Sequence, residues 1–132
     1  MIEVKNIKKT FNGTTIIENI STSFEKGKTN LIIGQSGSGK TVLLKCLLGL
    51  HHPDSGEIIY DGVSSLNMNE SNKTLLRREM GMVFQGSALY DSMTVRENLE
   101  FPLRRHTKKF GVIKDTTPMV MEALENVGLA HA

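Results

Sequence analysis

Tryptophan is absent from this chain of 132 residues, and aromatic side chains make up only 5% of it. Leucine, isoleucine, valine and seven methionines therefore have to build any core. A single cysteine, Cys46, excludes an internal disulfide and any metal site made of several cysteines. Long apolar runs are missing as well. The greasiest stretch, Val42–Leu50, is nine residues long and contains Lys45, whereas a membrane-spanning helix needs about 20 apolar residues. The opening Met1-Ile2-Glu3-Val4-Lys5 lacks the charged-then-apolar layout of a signal peptide. A net charge of +2 is too small to argue for nucleic acid or an anionic membrane as partner. With 39% hydrophobic and 23% charged residues the composition is that of a globular protein. These features predict a soluble, cytoplasmic chain forming one domain or part of a larger one.

What is present changes character along the chain. Ile2 and Val4 alternate with Glu3 and Lys5, as on a half-buried strand. Asn12-Gly13 is a two-residue hairpin signal, since both residues tolerate positive φ. A further strand is expected through Ile16-Ile17 and Ile20–Phe24, closed by the turn Glu25-Lys26-Gly27-Lys28. Leu31-Ile32-Ile33 has no polar alternate and reads as a central strand covered on both faces. From Thr41 the pattern becomes helical and apolar almost all round, with Gly49 as its stop. Ser55–Tyr60 reads as a strand turning at Asp61-Gly62, and the polar stretch Asn67–Arg78 as containing a short helix. Met82-Val83-Phe84 reads as a second core strand. Thr94-Val95-Arg96-Glu97 has the spacing of a capping box at a helix start, with Pro102 expected to kink or end that helix. Thr117-Pro118 opens a last helix reaching about Val127, with Gly128 beyond its end.

Between the first core strand and its helix lies Gly34-Gln35-Ser36-Gly37-Ser38-Gly39-Lys40-Thr41, a full match to the phosphate-loop pattern G-x-x-x-x-G-K-[ST]. The glycines let successive amides converge on phosphate oxygens. The helix that follows, from Thr41-Val42 on, aims its positive end at the same place. Lys40 adds a full charge for the β- and γ-phosphates, and the Thr41 hydroxyl is placed to ligate Mg²⁺. ATP and Mg²⁺ are therefore the expected cofactors.

Four features then occur in order: Phe11 before the Asn12-Gly13 turn, the phosphate loop, Ser55-Gly56-Glu57-Ile58 with Asp61-Gly62, and Gly81-Met82-Val83-Phe84-Gln85. Together they resemble the ATP-binding subunits of ABC transporters across essentially the whole chain. The resemblance implies an α/β fold: the P-loop NTPase core of an ABC ATPase, with an N-terminal antiparallel β subdomain and the start of an α-helical subdomain, an incomplete domain. The expected divisions are residues 1–30, 31–85 and 86–132. Phe11 matches the position that stacks on adenine. Gln85 matches the glutamine that reaches Mg²⁺ and the attacking water and senses the membrane partner. Catalysis in the family thus implicates Gln85 and Lys40. Gly34, Gln35, Ser36, Gly37, Ser38, Gly39, Lys40, Thr41 and Val42, with Phe11, would hold the nucleotide, and Thr41 and Gln85 the Mg²⁺.

The segment after Gln85, from Gly86-Ser87-Ala88-Leu89-Tyr90 through Glu97-Asn98 to His106-Thr107, looks like the ATPase of lipid-asymmetry (Mla-type) transporters. That implies permease subunits in the membrane, a second ATPase copy, an MCE-domain lipid carrier and a place on the cytoplasmic face of the inner membrane. The family's signature stretch, Walker B aspartate, catalytic glutamate and switch histidine are not found in these 132 residues. The chain is therefore expected to be the N-terminal part of a nucleotide-binding domain, binding ATP without hydrolysing it alone. The ATPase of another ABC transporter and a non-hydrolytic nucleotide- or partner-binding module are the alternatives. Three further features are read as bland: Cys46 as a core residue, His51-His52 as a polar loop, and Ile58-Ile59-Tyr60-Asp61 as a hairpin, not a Walker B strand. Arg104, Arg105, Lys108 and Lys109 form a basic patch, solvated or facing a permease or lipid headgroups.

Overall fold

The structure is a computed structural model that describes residues 1–86, 88–106 and 111–131. Ser87, Thr107, Lys108 and Lys109 of the sequence reading, and the terminal Ala132, lie outside the described residues. The chain divides into two compact units, Met1–Met82 and Val83–Ala132.

The first unit is built on a hairpin. Strand β1 (Ile2–Phe11) and strand β2 (Thr14–Phe24) pair antiparallel, with Phe11 opposite Thr14. Asn12 (φ 48°) and Gly13 (φ 77°) make the two-residue turn that their sequence announces. Strand β3 (Ser55–Tyr60) pairs on the other side of β1, and the short β4 (Val63–Ser64) closes on β3 through Asp61-Gly62. The order β2-β1-β3-β4 puts the first strand in the middle. Asn6 and Asn19 take positive φ where the ladders slip register, and the Ser21 hydroxyl satisfies the Asn6 backbone N–H at 2.9 Å.

Helix α1 (Lys40–Leu47) buries Leu43, Cys46 and Leu47 against Val4, Ile7, Ile17, Ile58 and Tyr60 of the sheet. Buried Cys46 is the core residue its setting suggested, and burial pushes its thiol pKa up. The helix ends as Gly49 predicts, with the Gly49 N–H on Cys46 O and the Leu50 N–H on Lys45 O. The buried Tyr60 hydroxyl donates to Leu47 O at 2.7 Å, and burial pushes the phenol up to about 12. A 3₁₀ turn (Ser65–Asn67) and helix α2 (Glu70–Glu79), capped by Asn69, complete the unit.

Three expectations need correction. Leu31–Ile33 and Met82–Phe84 are not strands. A strand exists through its ladder, and among the described residues neither run has a partner. Leu31, Ile33 and Val83 are more than four-fifths exposed, while Ile32 leans on the core. Helix α1 is not buried all round, because Leu44 faces outward at 39% exposure. Of the kink or end expected at Pro102, the end does not occur, since the helix continues to Arg105.

The second unit contains helix α3 (Val95–Arg105) and helix α4 (Thr117–Asn126). Thr94 and Glu97 form the predicted capping box at the start of α3. The helix runs past Pro102 to Arg105, and the His106 N–H bonds back to Pro102 O. Proline costs it one ladder bond, with the helix already fixed by two turns of N-terminal structure. Asn98 ties the preceding loop down, donating to the carbonyls of Tyr90, Met93 and Thr94 and accepting from the Tyr90 N–H. Helix α4 starts with Pro118 in its first turn. It ends with Gly128 donating to Glu125 O and Leu129 to Leu124 O. Ile58–Asp61 is part of the β3–β4 hairpin, as read from the sequence.

Candidate nucleotide site

The loop from Gly34 to Gly39 leads directly into α1. Gly37 and Gly39 have φ of 79° and 97°, a region open to glycine at little cost. Gly39 also packs against β2, where an added Cβ would stand 2.6 Å from Ile17 Cγ2 and 3.2 Å from Ile16 O. At Gly34 a Cβ would meet the Ser38 hydroxyl at 2.7 Å. The hairpin therefore sets the position of the loop, and glycine is what permits the close approach.

Within the loop the Ser38 N–H donates to Gln35 O, and the ladder of α1 begins with Leu43 N–H on Gly39 O at 2.9 Å. The amides of Lys40, Thr41 and Val42 precede that ladder and have no acceptor among the described residues, as in the first turn of any helix. No acidic side chain sits in that turn to neutralise them. The Lys40 ammonium folds back across the loop and donates to Gly34 O at 2.5 Å and Gln35 O at 2.7 Å, with Ser38 Oγ at 3.5 Å. Gln35, Ser36, Gly37, Ser38 and Thr41 are exposed, and Val42 is half-buried. Free amides, a helix N-terminus and a cation converge on one small surface. These residues fit a polyphosphate.

Among the described residues no three of His, Cys, Asp and Glu stand together to hold a metal. A cation at the exposed Thr41 hydroxyl would need phosphate oxygens for most of its ligands, which is how Mg²⁺ is commonly held beside nucleotides.

Phe11, at the end of β1, is half-buried. The same hairpin carries Phe11 at its turn and Ile16-Ile17 under Gly39. The phenyl ring meets the His51 ring at 5.1 Å between centroids, with planes at 68°, and the Lys9 ammonium lies over it at 5.1 Å. Asp54 holds this strand end, accepting from the Thr10 N–H at 2.6 Å and from Lys9 at 3.4 Å. The Thr10 bond, more than the lysine, keeps the Asp54 carboxyl below the usual carboxylate range. Sequence reasoning missed Lys9, His51 and Asp54. The only local signal was an Asp beside Pro53 and Gly56, a turn pattern that does not say which distant amide it will receive.

Gln85 lies in the second unit, on an exposed bend. The same unit holds an ionic cluster that the sequence did not announce. Glu100 is buried and accepts from Thr116 Oγ1 at 2.5 Å, Arg96 Nε at 2.9 Å and Arg104 Nη2 at 2.8 Å. Arg96 also reaches Thr117 Oγ1 at 2.6 Å, so α3 is clamped to the start of α4. The Thr116 hydroxyl, then the two arginines, push the Glu100 carboxyl down to about 2. Its folded pKa is below its unfolded value, so the clamp contributes fully above about pH 4.5 and is lost as pH falls toward about 2. Glu100→Gln should lower the thermal midpoint at pH 7, and the difference from wild type should close between pH 4.5 and 2. A difference that stays constant over that range would show that the carboxylate charge does not hold the clamp.

A family profile described as ABC transporter matches residues 17–132. A probable ribonucleotide transport ATP-binding protein, mkl, of Mycobacterium leprae is 40% identical over 97% of the chain, which covers 36% of that protein. MlaF, the intermembrane phospholipid transport ATP-binding protein of Escherichia coli K12, is 38% identical over the whole chain, which covers 48% of MlaF. MetN, a methionine import ATP-binding protein of Clostridium tetani, is also 38% identical, over 99% of the chain and 40% of its own length. The dimeric bacterial ABC transporter cassette MJ0796 superposes with a TM-score of 0.79 at 30% identity, covering 95% of this chain and 55% of that one. The chain thus spans between about a third and a half of the curated relatives it matches. Among the described residues no helix is long and apolar enough to cross a membrane. With its phosphate loop, its antiparallel sheet and its cassette-like fold, the chain belongs to the ABC transporter family of ATP-binding proteins.

Proposed function

We propose that the protein is the ATPase subunit that powers phospholipid movement through the cell envelope, and that this chain supplies its ATP-holding residues. The observation that carries the proposal is the phosphate loop, where Lys40 and the amides ahead of Leu43 face the same small surface. In this reading the amides of Lys40, Thr41 and Val42 donate to phosphate oxygens, and Lys40 exchanges the Gly34 and Gln35 carbonyls for the β- and γ-phosphates. Phe11 stacks on the adenine, the Thr41 hydroxyl and Gln85 hold the metal side, and Gln85 orients the attacking water. A Mg²⁺ held beside the Thr41 hydroxyl would supply charge neutralisation for the phosphates. Hydrolysis is proposed for the whole subunit working as a pair, not for these 132 residues by themselves. Permease subunits and an MCE-domain lipid carrier are the proposed partners, at the cytoplasmic face of the inner membrane.

The lipid assignment is supported by the match to MlaF along the entire chain. MetN matches at the same identity, so an amino-acid importer is the second reading. The two separate in proteoliposomes carrying the whole subunit with its own permease. ATP-dependent transfer of a labelled phospholipid is expected, with no uptake of labelled methionine. Methionine uptake without lipid movement would replace the first reading by the second.

A further inference from the structure

The ring proposed to take the adenine is held from two sides by residues with no role in the reading above. Lys9 and Phe11 are alternate residues of β1, and the Lys9 side chain is only 16% exposed. Asp54 holds the β1 side of this arrangement: its carboxylate accepts from the Thr10 N–H and Lys9, and its own N–H donates to Lys8 O at 2.8 Å. The His51 ring that meets Phe11 belongs to the residue whose N–H donates to Lys45 O, at the end of α1. The phenyl ring is thereby attached to the far end of the same helix whose near end carries Lys40 and Thr41.

We infer that His51, with Lys9 and Asp54, positions Phe11 and so sets how strongly the site binds the base of its nucleotide. The inference rests on Phe11 being the base-stacking residue. A ring held before binding loses less freedom when the base arrives. A tilted ring pair also contributes beyond its contact area, and a cation over a ring face adds to it. The ring contact is of the size that changes affinity roughly 2- to 10-fold. These three residues touch the base only through Phe11. Their effect should therefore appear with nucleotides and vanish with a ligand that has phosphates and no base.

The test measures equilibrium binding of Mg-ATP and of Mg-tripolyphosphate to the whole protein. Variants are Phe11→Ala, His51→Ala, His51→Phe, and the Phe11→Ala/His51→Ala pair. His51→Ala is expected to weaken ATP roughly 2- to 10-fold and leave tripolyphosphate unchanged. His51→Phe should restore most of the loss, and the double variant should bind ATP no worse than Phe11→Ala alone. If Phe11→Ala weakens ATP while His51→Ala does not, the positioning role is wrong and the base-stacking role stands. If Phe11→Ala leaves ATP binding unchanged, the base-stacking role falls and the inference falls with it. Equal weakening of both ligands by His51→Ala would assign its effect to the phosphate loop helix and overturn the inference.

Discussion

Lys40→Ala is expected to abolish ATP turnover by the whole protein, by at least about 100-fold, and to weaken Mg-ATP binding. Two losses coincide at one atom. The ammonium supplies the one full positive charge among the phosphate-loop side chains, where the remaining attraction comes from partial charges on amides and a helix end. In the free loop it also bonds the carbonyls of Gly34 and Gln35, so its loss removes the group that holds the loop in shape before ATP arrives. Lys40→Arg should not rescue, because a planar fork cannot take the place of a compact cation that contacts two carbonyls at 2.5 and 2.7 Å. The fold should survive, since Lys40 is absent from the apolar core beneath α1. The check is steady-state turnover beside a thermal melt. Wild-type turnover in a folded Lys40→Ala protein would end the phosphate-loop assignment.

The largest expected loss of stability is at Gly56→Ala, about 2–4 kcal/mol. Gly56 has φ 83° where β3 crosses β1, beside the register shift between Lys5 and Lys8. A Cβ there would lie 2.4 Å from both Lys5 O and Asn6 O. Those are backbone atoms in the middle strand, so neither can move without disturbing ladders on both sides. Asn6 itself has φ 50°, so the bulge and the glycine form one feature in two strands. Gly62→Ala is the control: its φ is 85°, but nothing lies within 4 Å of the added Cβ. It should cost only the left-handed conformation, about 1–2 kcal/mol. Urea unfolding of both variants measures the difference. Equal losses would show that the close approach at Gly56 is relieved without cost.

Features set by near neighbours were legible in the sequence. Asn12-Gly13 and Asp61-Gly62 turn as read, Thr94 and Glu97 cap as read, and Gly49 and Gly128 end their helices. Each depends on φ or on a bond within a few residues. The phosphate loop is legible for the same reason. What failed depends on distant partners. Leu31–Ile33 has the composition of a central strand, yet composition cannot provide the ladder that makes one. Cys46 could be read as core, but the outward face of Leu44 could not, because that depends on where the sheet lies. Glu100 is one of several charged residues on α3, and nothing beside it in the sequence marks it as buried. Arg96 and Arg104 stand one turn away on the same helix, and it is the approach of Thr116, from the start of α4, that makes the group a buried clamp. His51 was similarly bland until Phe11, forty residues earlier in the chain, came to rest beside it.

The place of β1 between β2 and β3 has a consequence for how the protein is made. Its first partner follows at once, but its second begins only at Ser55, after the phosphate loop and α1 have been synthesised. At about 5–20 residues per second the ribosome needs roughly 2–6 s to pass from the end of β2 to the start of β3. During that time the nascent hairpin carries Ile2 and Val4 without Tyr60 and Ile58, their later partners on β3. Those seconds are far longer than the microseconds in which a hairpin closes. The hairpin can therefore wait, ready-made, as the template on which the phosphate-binding segment is afterwards fastened.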